Sequence, residues 1–333
     1  MGEFLRERPA APAPCGPAAG RDCPLRYLTL APFPQPCSRL GLGSVAFQPA
    51  REDEWRRLLD AFVEHGGNCL DTARSYQNGE SERVIGRWLQ SRGIRERMIL
   101  ITKGCHPRAD GLPRVRPEVI DQELPASLEA LGVETIDLYF LHRDDENVPV
   151  EELVDCLNEH VRAGRIRAFG GSNWRAERLE AANAYARRRG LAGFAASSPH
   201  FSLAVPREPR WPGCRHLTDE ERPWYVRTGM PVFAWSAQAG GFFTGRFQPD
   251  RLDQPDMVRT YYTEENWRRY HRARELARRR GVEPHQVALA YVLHQPFPTV
   301  ALIGPVTVEE LRSSLPGGDL ELSAEEVAWL ERG

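Results

Sequence analysis

The sequence predicts an α/β fold, a single (β/α)8 TIM barrel, from three observations. Short apolar runs alternate with amphipathic stretches of about 10–18 residues from Leu40 onward. The alternation repeats about eight times, at roughly 30-residue spacing, as a parallel sheet closed into a barrel requires. The runs are apolar on both faces, as strands covered on both sides are.

The elements follow in order. A run near residues 41–47 would be the first strand. Residues 68–72, 98–102, 136–141, 166–170, 193–197, 231–235 and 299–303 would be the next seven. Helices are expected to start near Glu52, Glu80, Pro117, Val150, Arg175, Glu264 and Val308, with a shorter one near residues 219–226. Gly66, Gly93, Gly132, Gly164, Gly190 and Gly281 are helix stops, because glycine adopts the left-handed cap without strain. A second amphipathic stretch at 286–294 and a last helix at 323–331 lie beyond the minimal repeat. The longest irregular segment, about 238–262, follows the seventh strand and would sit on the C-terminal face, where barrel active sites lie. Residues 1–35 read as an Ala- and Pro-rich extension, disordered or strapping. Residues 36–333 read as one barrel domain.

Composition narrows the function classes. The 333 residues are 41% hydrophobic and 27% charged, with a formal net charge of -2. Nothing global attracts nucleic acid or an anionic membrane. No apolar run is long enough for a spanning helix, and the N-terminus lacks the apolar core of a secretory signal. The seven cysteines (Cys15, Cys23, Cys37, Cys69, Cys105, Cys156, Cys214) are scattered, odd in number and without a C-x-x-C pair. Neither a disulfide framework nor a metal site is expected, and a cytoplasmic location is.

One of the 44 basic side chains is a lysine, Lys103, and the rest are arginines. Arginine stays charged and cannot be tuned, whereas lysine is a compact point charge. A lone lysine is either a surface remnant or a group with a task arginine cannot perform. Its neighbours favour the task. The second strand ends in Leu70-Asp71-Thr72-Ala73-Arg74-Ser75-Tyr76, the third in Ile101-Thr102-Lys103-Gly104, the fourth in Leu141-His142-Arg143. Carbonyl reduction needs this set. An alkoxide forms and must be protonated. A phenol is a poor acid near neutral pH, an adjacent ammonium is expected to lower its pKa, a carboxylate holds the ammonium, and an imidazole orients the carbonyl oxygen.

The run LDTARSYQNGESERVIG (70–86) resembles the signature of the aldo-keto reductases, as do ITKG (101–104) and IDLYFLHRDD (136–145). The resemblance covers about residues 36–330. It implies a (β/α)8 barrel reducing an aldehyde or ketone, on a sugar or a biosynthetic intermediate, with NADPH or NADH. It implies Tyr76 as general acid/base, Asp71 and Lys103 as its tuning pair, and His142 as orienter. For the cofactor it implies Gly43 and Ser44 near the nicotinamide ribose, Ser172 and Asn173 at the carboxamide, and Trp235 stacked on the ring. Ser236, Ala237, Gln238 and Gly241 would cover the pyrophosphate. Gly304, Val306, Thr307, Glu310 and Ser314 would form the loop around the adenosine. Two positions depart from the pattern. Ser198 stands where a glutamine usually meets the carboxamide. The 304–311 loop carries acids and no basic residue, which disfavours a 2′-phosphate and leaves NAD open. Cys105, His106, Trp174 and His200 are candidate substrate-pocket residues from position.

Other uses of the same residues are transient oxidation of a sugar in an epimerase or dehydratase, and a non-catalytic, cofactor-binding regulatory subunit. The oligomeric state stays open. Gly41–Ala46 fits a loose G-x-G-x-x-A dinucleotide fingerprint, but Gln48-Pro49 interrupts the helix such a motif needs. The arginine-rich run 268–280 reads as a solvated helix face.

Overall fold

The computed structural model describes residues 25–31, 33–108 and 110–333. The expectation for residues 1–24 lies outside the described residues. Eight parallel strands close into a barrel: β3 (Leu40–Gly43), β4 (Cys69–Asp71), β5 (Ile99–Gly104), β6 (Ile136–Leu141), β7 (Ile166–Ser172), β8 (Ala196–Ser198), β9 (Val232–Ala234) and β10 (Thr299–Ile303), which pairs back to β3. Each central strand is buried along its length because helices cover the outside and side chains fill the inside.

The main helices begin where the sequence places them: α1 (Glu52–Glu64), α2 (Glu80–Arg92), α3 (Pro117–Leu131), α4 (Val150–Arg162), α5 (Ala176–Arg189), α8 (Glu264–Arg280) and α10 (Val308–Asp319). In α1, Trp55, Leu58, Leu59 and Phe62 share one face and are buried. Glu52, Asp53 and Glu54 in its first turn complement the helix dipole. Helices α2, α3, α5 and α8 end on the left-handed glycines Gly93, Gly132, Gly190 and Gly281. Each fully buried aliphatic or aromatic side chain contributes about 1.5–3 kcal/mol.

Several elements depart from expectation. A short antiparallel hairpin, β1 (Tyr27–Leu28) with β2 (Cys37–Ser38), precedes the barrel, an element the strand pattern does not include. Leu30 and Cys37 pack with the barrel interior of Ile99, Leu138, Phe140 and Phe233, at the N-terminal end of the strands. The stretch expected to be irregular after β9 holds a 3-10 turn, Ala239–Thr244, and α7 (Pro255–Tyr261). The long irregular connection follows β8 instead, over residues 199–221, before α6 (Arg222–Thr228). α9 (Pro284–Leu293) is not amphipathic: every residue from Gln286 to Leu293 is buried, because neighbouring helices enclose it. The last helix is α11 (Ala324–Arg332), capped by Ser323. The arginines of α8 pair with acids: Arg268 with Glu264, Arg272 with Glu265, Arg280 with Glu326. Among the described residues, no helix is long and apolar enough to cross a membrane.

Candidate active site

Three adjacent strands deliver the expected residues to one corner of the C-terminal rim. Asp71 ends β4, Lys103 lies one residue before the end of β5, and His142 follows the last residue of β6. Successive side chains on a strand face opposite ways. Thr102 turns outward, donating to Glu82 on α2 at 2.7 Å, so Lys103 turns inward. The β4–β5 ladder continues past the strand through Arg74 N–H to Lys103 O (2.9 Å). The Tyr76 ring lies 5.1 Å from Lys103 Nζ, and the chain then turns back through the left-handed positions Gln77 (φ 47°) and Asn78 (φ 54°).

Lys103 Nζ donates to both Asp71 carboxylate oxygens (2.6 Å each), to Thr72 O (2.9 Å) and to Tyr76 OH (3.4 Å). The ammonium thus directs its three hydrogens at a carboxylate, a carbonyl and a phenol, with 2% of its surface exposed. Burial lowers the affinity of Lys103 for its proton, but Asp71 and Tyr76 outweigh it, and its pKa lies above the ordinary value. Burial pushes the Tyr76 phenol up, and Lys103 pulls it back only in part. This corrects the expected net lowering: desolvation of the phenolate exceeds the pull of the ammonium.

His142 is buried, and its pKa falls well below the usual histidine range because burial, Lys103 and Arg143 all oppose a second charge. Its ring is 5.7 Å from that of Tyr76 and 4.7 Å from that of His106, edge to face in both cases. Ser75 Oγ lies 3.5 Å from its Nδ1.

Of the other pocket candidates, only His106 reaches this corner. Cys105 is fully buried in the outer core, its backbone N–H held by Glu123 of α3 at 2.6 Å. Trp174 is buried against Phe194 and donates to Arg143 O at 2.9 Å, because its side chain packs under α5 rather than over the rim. His200 is buried and stacked on Trp235 at 4.6 Å, with Tyr261 OH at 2.9 Å from its Nε2.

The residues expected around a cofactor lie on β3 and β7–β10. Gly43 ends β3 beside Asp71, and Ser44 N–H donates to Asp71 O at 2.9 Å. Ser172 Oγ donates to Ser198 O (2.9 Å). Asn173 donates to His142 O (3.2 Å) and Ser172 Oγ (3.0 Å), and its Oδ1 accepts from Arg215 N–H (3.0 Å). Ser198 Oγ is turned to Phe233 O at 2.8 Å. Ser236 stands at φ 53° within 3.4 Å of Arg210, while Ala237 is part of the core. Gln238 Nε2 donates to Ser314 Oγ (3.0 Å). Gly241 is left-handed and packed against Arg246. Gly304 is exposed with open space beside it. Thr307 caps α10, and Val306 N–H donates to Glu310 at 2.8 Å.

On the 199–221 connection the sequence reading picks out His200 but misses Trp211 and Arg215. The connection brings Trp211 to 5.9 Å from Trp235 and Arg215 onto Asn173. The reading also misses Arg246, whose guanidinium donates to Gly240 O at 2.5 Å. Both come from loop path, not from strand periodicity, and the Gly in the TGR triplet (244–246) was the one available signal.

Comparison with known proteins agrees with this geometry. A sequence model of the aldo/keto reductase family matches residues 39–332. An uncharacterized oxidoreductase of Bacillus subtilis, YrpG, is 29% identical over 86% of this chain and 89% of its own length. Norsolorinic acid reductase stcV of Emericella nidulans is 31% identical over 82% of this chain and 70% of its own. The crystal structure of a thermostable aldo-keto reductase, Tm1743, solved with the inhibitor epalrestat, superposes with a TM-score of 0.71 at 24% identity, over 92% of this chain and 99% of that one. With its closed eight-stranded barrel and this span of similarity, the chain belongs to the aldo-keto reductase family and is an oxidoreductase of that family.

Proposed function

We propose that the chain reduces an aldehyde or ketone to an alcohol, with Tyr76 as the proton donor and a nicotinamide dinucleotide as the hydride source. One observation carries the reading: a single buried ammonium, Lys103, joins Asp71 (2.6 Å) to Tyr76 OH (3.4 Å) beside the neutral ring of His142. The nicotinamide, when bound, supplies the hydride. Tyr76 enters the reaction protonated, since burial keeps its pKa high, and donates to the carbonyl oxygen as it becomes an alkoxide. Lys103 stabilises the phenolate that remains, and Asp71 keeps the ammonium in place. In the tautomer that carries its proton on Nε2, His142 would accept from Ser75 Oγ at Nδ1 and donate a hydrogen bond to the same oxygen.

The residues present fit such a cofactor in part. Among the described residues, Ser44 Oγ and Trp235 Nε1 are buried at the rim without hydrogen-bond partners. Ser44 would meet the ribose and Trp235 the nicotinamide ring, the roles the family resemblance gives them, while Ser172 and Asn173 would share their existing hydrogen bonds with the carboxamide. Ser198 contributes no side-chain contact. The acids of the 304–310 loop favour NADH over NADPH. The substrate would be an aryl or other conjugated carbonyl. Relatives include a protein named aryl-alcohol dehydrogenase from Pestalotiopsis microspora, and His106 and the half-exposed Trp211 offer ring surfaces.

The test is turnover of an aryl-aldehyde and sugar panel with NADH and NADPH by the chain and by Tyr76→Phe. Loss of roughly 10²–10⁴ in kcat with unchanged dinucleotide binding is expected. Retained activity would assign the proton to another group.

A further inference from the structure

Away from the catalytic corner, α3 and α4 bring three different donor groups together on the outer ring. Asp121 belongs to α3; Cys156 and His160 stand one turn apart on α4, and so share a face. Asp121 Oδ1 is 2.9 Å from His160 Nε2 and 3.8 Å from Cys156 Sγ. One carboxylate oxygen, the sulfur and one ring nitrogen all lie within 4.8 Å of one another. The Pro117 carbonyl is 3.9 Å from the sulfur. No residue of the hydride-transfer corner touches this cluster.

Several features point to a cation. In a tetrahedral zinc site, with metal–ligand bonds of about 2.0–2.3 Å, neighbouring ligand atoms stand roughly 3.3–3.8 Å apart. The separations of 2.9 and 3.8 Å bracket that range, so small side-chain rotations suffice. Sulfur with imidazole selects a borderline-soft ion over magnesium or calcium. His160 is 1% exposed and turns its Nε2 into the cluster. The Asp121 side chain is 59% exposed, which opens an entry path and a fourth position for water.

We propose that Asp121, Cys156 and His160 form a binding site for a zinc-class divalent cation, which clamps α3 to α4. On binding, the S–H bond of Cys156 breaks, a sulfur–metal bond forms, and the proton passes to solvent. The expectation of no metal rests on the lack of C-x-x-C pairs. A helical C-x-x-x-H completed by the neighbouring helix escapes that criterion.

The test is titration of the reduced, chelator-treated full chain with cadmium, reading the ultraviolet thiolate-to-metal charge-transfer band, followed by competition with zinc. One equivalent should bind with the band, and zinc should displace it and raise the melting temperature. Cys156→Ser should abolish the band, and Asp121→Asn should weaken binding by about tenfold or more. Carbonyl reduction in the absence of added metal should be unchanged in both variants. A band that survives in Cys156→Ser would place the ion on other cysteines and overturn the proposal. So would a wild-type chain that gives no band at millimolar cadmium. If Cys156→Ser fails to fold, Asp121→Asn decides: wild-type affinity there would overturn the site.

Discussion

Strands β4–β6 and strands β7–β10 contribute to one rim in different ways. On β4–β6 a buried ion pair, Asp71 with Lys103, is joined to the Tyr76 phenol, beside the neutral ring of His142. On β7–β10 the polar groups are neutral and mostly committed to the protein: Ser172 to Ser198, Ser198 to Phe233, Asn173 to Arg215. The first region is preorganised for charge that develops during reaction. The second presents backbone, rings and a few hydroxyls, and its contacts depend on loop path. A fixed charge array costs desolvation that only its mutual pairing offsets. A neutral binding wall carries no such cost and tolerates substitution.

This contrast predicts a gradient of effects. Lys103→Arg keeps the charge but not the compact three-way donor, and kcat should fall on the order of 10²–10⁴, read in steady-state turnover. A loss under tenfold would mean that charge alone suffices there. Asp71→Asn leaves a buried ammonium without its carboxylate and should cost about 3–5 kcal/mol in urea unfolding. Little destabilisation would show that water already screens the corner.

On the other side the changes are smaller. Glu310→Arg removes an acid from the loop after β10 and frees the Val306 N–H, so NADPH should bind about tenfold tighter while NADH changes little. Equal gains for both nucleotides would move the 2′-phosphate elsewhere, Arg246 being the cation to examine next. Ser198→Gln, at a hydroxyl already held by Phe233 O, should alter the nicotinamide KM by less than about fivefold.

The pH profile separates the two regions as well. His142 lies well below the ordinary histidine value, so it gains a proton only in distinctly acid solution. Tyr76 lies above the ordinary phenol value near 10, so it loses its proton only in alkali. The kcat/KM for reduction should therefore vary by less than about twofold between roughly pH 6.5 and 9. A rise toward acid pH within that window would mean that a protonated His142 is the active form.

Legibility in the sequence follows the same division. Asp71, Lys103 and His142 could be read because strand ends in a βα repeat converge by topology, whatever the loops do. Helix starts were readable from acidic first turns and glycine stops. Cys105 and Trp174 lie in the outer layer because left-handed backbone just past the strand ends (Cys105 φ 62°, Asn173 φ 64°) breaks the alternation that would keep them on the rim. The helix Pro284–Leu293 was read as amphipathic because its enclosure depends on α8 and α10, far from it in the chain. The 199–221 connection has no period at all; its approach to Trp235 and Asn173 rests on tertiary contacts alone.

Lys103 has a consequence outside catalysis. It is the one peptide position a lysine-specific protease can recognise, and it lies 2% exposed within a barrel strand. The folded chain should resist such a protease, and the unfolded chain should give two fragments divided after residue 103. Cleavage would then occur only when β5 leaves the barrel. Its rate at low protease concentration measures the population in which the catalytic strand is open. The residue that tunes the tyrosine is also a single-site gauge of how often the barrel comes apart.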